Sequence, residues 1–204
     1  RISVTFDCGA LGYGSIAAHG HADALSFTLR ALGVDVLVDP GTYDYFTSSD
    51  WRNYFRSTRA HNTIVVDGVD QSEMAGLFLW GQRATARRLD WQPTSTGGLV
   101  CGSHDGYTRL ADPVVHRRTI TLDGNARIVT VQDELEGRSA HSAELYFHFS
   151  ERCLVADKGN NQFRIDFGPG RLELGLEDQL DTRLLCGCMD PIAGWISRGY
   201  HRKT

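Results

Sequence analysis

From Leu25 to Leu176 the chain never runs far without a turn signal, and that punctuation limits what it can fold into. Leu25–Arg30 and Val34–Val38 are short apolar or alternating runs joined by Ala31-Leu32-Gly33, a hairpin pattern. Thr63–Val66 ends in the turn pair Asp67-Gly68. Val114–Leu122 and Ala126–Asp133 flank Asp123-Gly124-Asn125; Gln162–Phe167 and Arg171–Leu176 flank Gly168-Pro169-Gly170. Ile2–Asp7 and Ala143–Ser150 alternate like full strands. Turn signals at roughly 8–12-residue intervals mark a sandwich or barrel. Only Ser49–Arg59 reads as helix. The expected fold is all-β: one antiparallel two-sheet β-sandwich with one or two short helices.

Size and composition agree. A chain of 204 residues is one domain of generous size, and it buries roughly 70% of its unfolded surface, so it needs no staples. With 41% hydrophobic and 23% charged residues it is not disordered, collagen-like or a coiled coil. No apolar run approaches the ~18 residues of a membrane span. A net charge of −4 disfavours a nucleic-acid partner. The five cysteines are odd in number and without framework spacing; Cys186 and Cys188 alone are too few for a zinc site. Because the sequence starts at Arg1, directly before an alternating run, it reads as a piece of a longer protein, and missing targeting signals carry no information on location.

The densest chemistry lies between His19 and His61. It opens with His19-Gly20-His21-Ala22-Asp23, continues with Val38-Asp39-Pro40-Gly41 and closes with Ala60-His61-Asn62. In an extended chain His19, His21 and Asp23 point to one face. Asp39 ends the second strand of the following hairpin, and His61 directly precedes the next strand. Imidazole and carboxylate ligands delivered by three strand ends suit a borderline cation such as zinc. The bland alternatives are a surface H-x-H pair and an ordinary Asp-Pro-Gly turn.

Tyr43, Tyr45, Phe46, Trp51, Tyr54 and Phe55 crowd into thirteen positions, and Arg52, Arg56 and Arg59 share one face if the stretch is helical. Arginine forks bind carboxylates and sulfates at two points, and aromatic faces stack on sugar rings. An amphipathic helix with a solvated basic face fits the composition equally well.

These residues carry a resemblance. The strings A-H-G-H-A-D-A-L-S-F, L-V-D-P-G-T-Y-D-Y, W-R-N-Y-F-R-S-T-R-A-H-N-T, D-G-V-D-Q-S-E and F-L-W-G, in that order from Ala18 to Gly81, resemble the heparinase II/III family, and more closely its homologues in bacterial exopolysaccharide gene clusters. The likeness continues more loosely through His104-Asp105-Gly106-Tyr107 and His116-Arg117-Arg118. It implies a polysaccharide lyase in two parts, an N-terminal α/α toroid and a C-terminal antiparallel, supersandwich-like β domain, with residues 1–204 as the β domain alone. It implies a structural metal, usually zinc, at His21, Asp39 and His61, and a cleft-facing, catalytic His19. The family's tyrosine acid/base and its carboxylate-neutralising Asn or His lie in the toroid, so the chain alone is expected to be inactive. Other implied partners are an anionic polysaccharide and the toroid itself; on their chemistry Arg52, Arg56, Tyr43 and Tyr45 are the candidates to hold the polysaccharide, with Arg59 able to attract the polyanion, although in the family many arginines merely tie loops down. The implied setting is periplasmic or secreted.

In such a lyase a uronic-acid polymer is cut by β-elimination: the carboxylate is neutralised, a base removes the C5 proton, and an acid protonates the leaving oxygen at C4. His19 fits the base, or a hydrogen bond to the developing enolate. Three rival readings stand beside this one. One is a non-catalytic carbohydrate-binding or scaffold domain. Another is a zinc hydrolase of the cupin or jelly-roll kind, with Asp23 or Asp44 as general base. The third is a structural domain with no site.

Overall fold

The computed structural model describes all residues, Arg1 to Thr204. Fourteen strands alternate with turns, and one helix interrupts them. They are β1 (Ile2–Phe6), β2 (Phe27–Ala31), β3 (Val34–Leu37), then α1 (Ser49–Arg56), β4 (Ile64–Val66), β5 (Ala86–Thr94), β6 (Gly97–His104), β7 (Val115–Asp123), β8 (Ile128–Glu136), β9 (Ala143–Leu145), β10 (Leu154–Asp157), β11 (Gln162–Phe167), β12 (Gly170–Gly175), β13 (Cys188–Met189) and β14 (Ile192–Ala193). Every pairing is antiparallel: β1-β2-β3, β5-β6-β7-β8 and β10-β11-β12 form sheets, and β4-β9 and β13-β14 form ribbons. This is the all-β sandwich expected from the turn spacing. No helix is long and apolar enough to cross a membrane.

Alternation explains the core. Phe27, Leu29 and Ala31 of β2 and Phe163, Ile165 and Phe167 of β11 point inward, two residues apart, and meet Val36, Leu37 and Ile120 in the main apolar cluster. Three sheets therefore share one interior. Ile64, Val66, Tyr107 and Val114 form a smaller cluster under the β4-β9 ribbon. All five cysteines are free.

Several expected elements differ. The β5-β6 hairpin is invisible to periodicity, because eight of the nine residues of β5 are exposed, as befits an edge strand open on both faces. The run Ala143–Ser150 keeps only three strand residues. Beyond Leu145 the chain leaves the ladder, the His148 amide bonds the Asn62 side chain, and Phe149 makes a single bridge to Leu37. The helix stops at Arg56 because Ser57 is extended (φ −77°, ψ 158°); Thr58–Ala60 add a single 3₁₀ turn. Ahead of α1 the Asp44 carboxylate accepts the Phe46, Thr47 and Ser48 amides. Burial works to raise its pKa, but those bonds and the Thr47 hydroxyl win and hold it well below the usual carboxylate range. That makes Asp44 a loop clamp, not a base.

Candidate metal centre and the exposed histidine beside it

His61 is fully buried just before β4. Its Nδ1–H donates to the Ser57 carbonyl (2.8 Å), which leaves the Nε2 lone pair facing the other ligands. His21 Nδ1 lies 3.1 Å from that Nε2, and Asp39 Oδ2 lies 3.5 Å from it. Asp39 turns in from just beyond β3, with its Oδ1 occupied by the Gly41 amide (2.8 Å) and Oδ2 left over. Gly41 has φ +82°, and a Cβ there would stand 2.1 Å from the Ser197 carbonyl oxygen, so only glycine fits this close crossing. Asp23 completes the group: one donor atom from each of His21, Asp23, Asp39 and His61 lies within 4.8 Å of all the others.

The donor set fits a small cation. Ligand atoms at about 2.0–2.1 Å from a tetrahedral zinc stand about 3.3 Å from one another, and the two measured separations bracket that value. Electrostatics agree. Burial, then the neighbouring His61, push the His21 pKa well down, so the ring is neutral near pH 7 and one of its nitrogens offers a lone pair. Burial also lifts the Asp23 carboxyl to about 6.

The backbone of this site is gripped from behind. The Asn62 side chain donates to the carbonyls of Phe27 (2.7 Å) and Val38 (3.0 Å) and accepts the His148 amide. Arg118, wholly buried on β7, donates to the carbonyls of Leu25 and Asn62 and holds Asp133 on β8 through two bonds of 2.7 and 3.0 Å. Sequence reasoning passed over both residues.

His19 points elsewhere. The segment from His19 to Asp23 is irregular rather than the extended strand expected: a turn ends at His19, Ala22 is a bend, and the two histidines diverge around Gly20. His19 is exposed; its Nδ1 lies 3.0 Å from the Tyr45 hydroxyl, and its ring meets the edges of Tyr45 and Phe78. Arg52 and Arg56 do not form the solvated face that was open to them. They are 0% and 1% exposed and donate to the carbonyls of Ala18, Gly76 and Leu77, so their burial fastens a loop and withholds the guanidinium groups from a surface ligand. Tyr43 packs among Trp51 and Phe55, with its hydroxyl accepting from Lys203 (3.2 Å).

The family described as heparinase II/III-like, C-terminal, matches residues 1–203. The chain belongs to that family. Among solved structures, the heparinase III-BT4657 gene product superposes on this heparinase II/III-like domain with a TM-score of 0.75 at 20% identity, covering 98% of the chain and 28% of that protein. Heparan sulfate lyase HepC from Pedobacter heparinus gives 0.74 at 18% identity, again 98% and 28%. Another structure, titled heparinase III, gives 0.53 at 21% identity over 72% of the chain and 22% of its own length. At these identities the structures establish a shared fold. The heparinase II/III-like domain spans 28% of the length of the first two. No curated protein sequence matches it significantly.

Proposed function

We propose that this domain is the β part of a polysaccharide lyase that cleaves a uronic-acid-containing polysaccharide by β-elimination, with a structural zinc at His21, Asp39 and His61 and with His19 as the residue that meets substrate. The observation that carries the reading is the convergence of those three side chains from segments up to forty residues apart, directly beside an exposed histidine. Zinc at this point would supply positive charge that ties three chain segments together. The chain's own residues do the rest: His61 and Asp39 keep their outer atoms occupied by Ser57 and Gly41, and the irregular segment around Gly20 turns His19 away from them, toward Tyr45. Asp23 is the fourth neighbour of the group. Tyr45, beside His19, is placed to touch a sugar ring. Family membership supports the substrate class; the polymer itself, an N-terminal toroid and a periplasmic or secreted setting belong to the same proposal.

Metal analysis of protein purified without chelator tests the centre. About one zinc per chain is expected, with His61→Ala losing it and Asp39→Asn holding it more weakly; the melting temperature should fall with it, because a ligand bound only to the folded state stabilises that state. Metal-free wild type, or undiminished zinc in His61→Ala, refutes the assignment. In the full-length protein, unsaturated uronate products absorbing in the ultraviolet identify a lyase, whereas new reducing ends without them identify a hydrolase. Sugar binding with no turnover would leave the accessory, carbohydrate-binding reading.

A further inference from the structure

We propose that Tyr45 is the positioning residue for His19: its hydroxyl donates to Nδ1 of the imidazole and so fixes His19 as a hydrogen-bond donor through Nε2. This deepens the reading of His19 as the substrate-facing residue and rests on it.

The contact is 3.0 Å between the phenol oxygen and Nδ1. A phenol is a better donor than acceptor, and an imidazole lone pair is a good acceptor. The favoured arrangement is therefore O–H donating to Nδ1, which leaves the ring hydrogen on Nε2. That second nitrogen has no protein partner and belongs to an exposed side chain.

Tyr45 is itself held. The Arg52 guanidinium lies 4.8 Å from its ring centroid, with Phe78 at 5.6 Å and Tyr200 at 5.5 Å. Arg52 is fully buried and has no carboxylate within ion-pair distance, so the face of the Tyr45 ring takes the place of a counterion. The same guanidinium donates to the Ala18 carbonyl (3.4 Å), in the residue just before His19. One buried cation thus touches the ring that orients the imidazole and the backbone that carries it. This gives Arg52 a task that its burial permits, in place of direct contact with a ligand.

The chemical consequence separates two roles left open for His19. With Nδ1 occupied and Nε2 carrying hydrogen, neutral His19 has no free lone pair with which to take the C5 proton. It can donate from Nε2 to the uronate carboxylate, whose negative charge grows as that proton leaves. No bond to His19 forms or breaks, and the proton goes to a base supplied from outside this domain.

The test has two arms. Long-range proton–nitrogen correlation spectra of the 204-residue chain at about pH 8, where ordinary imidazoles are neutral, report which ring nitrogen of His19 carries hydrogen. The wild type should show the Nε2–H form alone, and Tyr45→Phe, which keeps the ring over Arg52, should show a mixture of both forms. A wild-type Nδ1–H form, or an unchanged pattern in Tyr45→Phe, overturns the proposal. In the full-length protein acting on a uronate polymer, Tyr45→Phe should lower kcat about tenfold, the scale of one hydrogen bond, with KM moved by less than about twofold and metal content unaltered; an unaltered kcat overturns the positioning role. Wild-type turnover in His19→Ala would instead overturn His19 as the substrate-facing residue, and the spectra of the isolated chain do not depend on that result.

Discussion

Arg118 exposes no surface, and every bond it makes ties β7 to another part of the fold: to Asp133, and to the backbone carbonyls of Leu25 and Asn62. Replacing it by methionine keeps the bulk, leaves two carbonyls unmet and leaves the nearly buried Asp133 carboxylate with His116 as its remaining partner. Breaking such a pair from one side costs about 3–5 kcal/mol, and denaturant unfolding of Arg118→Met should show a loss of that order; a loss below about 1 kcal/mol would mean that Asp133 relaxes into solvent. A cluster among His19, His21, Asp23, Asp39 and His61 could be suspected from the sequence because ligand types stand next to turn residues there, and the choice of His21, Asp39 and His61 came from the family resemblance. Arg118 and Asn62 could not be suspected. An arginine within an alternating strand reads as a solvent-facing position, and nothing in its neighbours announces that its charge is answered by Asp133, fifteen residues later. Spacing placed His19 on one face with His21 and Asp23; the structure keeps Asp23 within the candidate group but not His19, because the segment around Gly20 is irregular rather than strand.

Strands β6 and β7 place His104 opposite His116, both buried. The Gly106 amide donates to His104 Nδ1 (3.1 Å), His104 Nε2–H to His116 Nδ1 (3.1 Å), and His116 Nε2–H to Asp133 (2.7 Å). Each ring is satisfied in its neutral form, and an added proton would meet another donor. Burial accordingly lowers both pKa values, although Asp133 pulls that of His116 partly back. The unfolded chain takes up protons near pH 6.5 and the folded pair does not. Stability is therefore intact above that pH and falls as pH drops below it, by about 1.4 kcal/mol per pH unit for each histidine until its folded pKa is reached. His141, raised by the carboxylates of Asp67 and Asp112, works in the opposite sense, so the comparison is between wild type and His104→Gln: unfolding midpoints from pH 7.5 to 5 should fall less steeply in the variant, and parallel slopes would count against the pair. Among elements, the β2-β3, β7-β8 and β11-β12 hairpins were legible because alternation and turn residues agree there. Strand β5 was not, since an edge strand exposed on both faces leaves no alternation to see, and the helix ran past its true end because no residue at Ser57 breaks the basic-aromatic pattern.

On the scale of the whole molecule, a group of exposed apolar side chains lies near His19. Phe46 and Tyr200 are 75% and 62% exposed and border Tyr45, while Leu77 and Leu79 protrude from the loop that Arg52 and Arg56 fasten. This domain covers 22–28% of the solved relatives described above, and under the lyase reading the base that takes the C5 proton comes from outside it. The 204-residue chain by itself should therefore release no unsaturated product from a panel of uronate polymers, measured by ultraviolet absorbance; robust release would show that one domain holds all the chemistry. The bonds behind the proposed metal site also have a meaning in time. Arg118 reaches back 93 positions to Leu25, and the His148 amide 86 positions to Asn62. Closing loops of that length is slow compared with forming a hairpin. His21, Asp39 and His61 thus leave the ribosome before the residues that fix their geometry, so a nascent chain ending before residue 118 carries all three side chains without the bonds that hold them together.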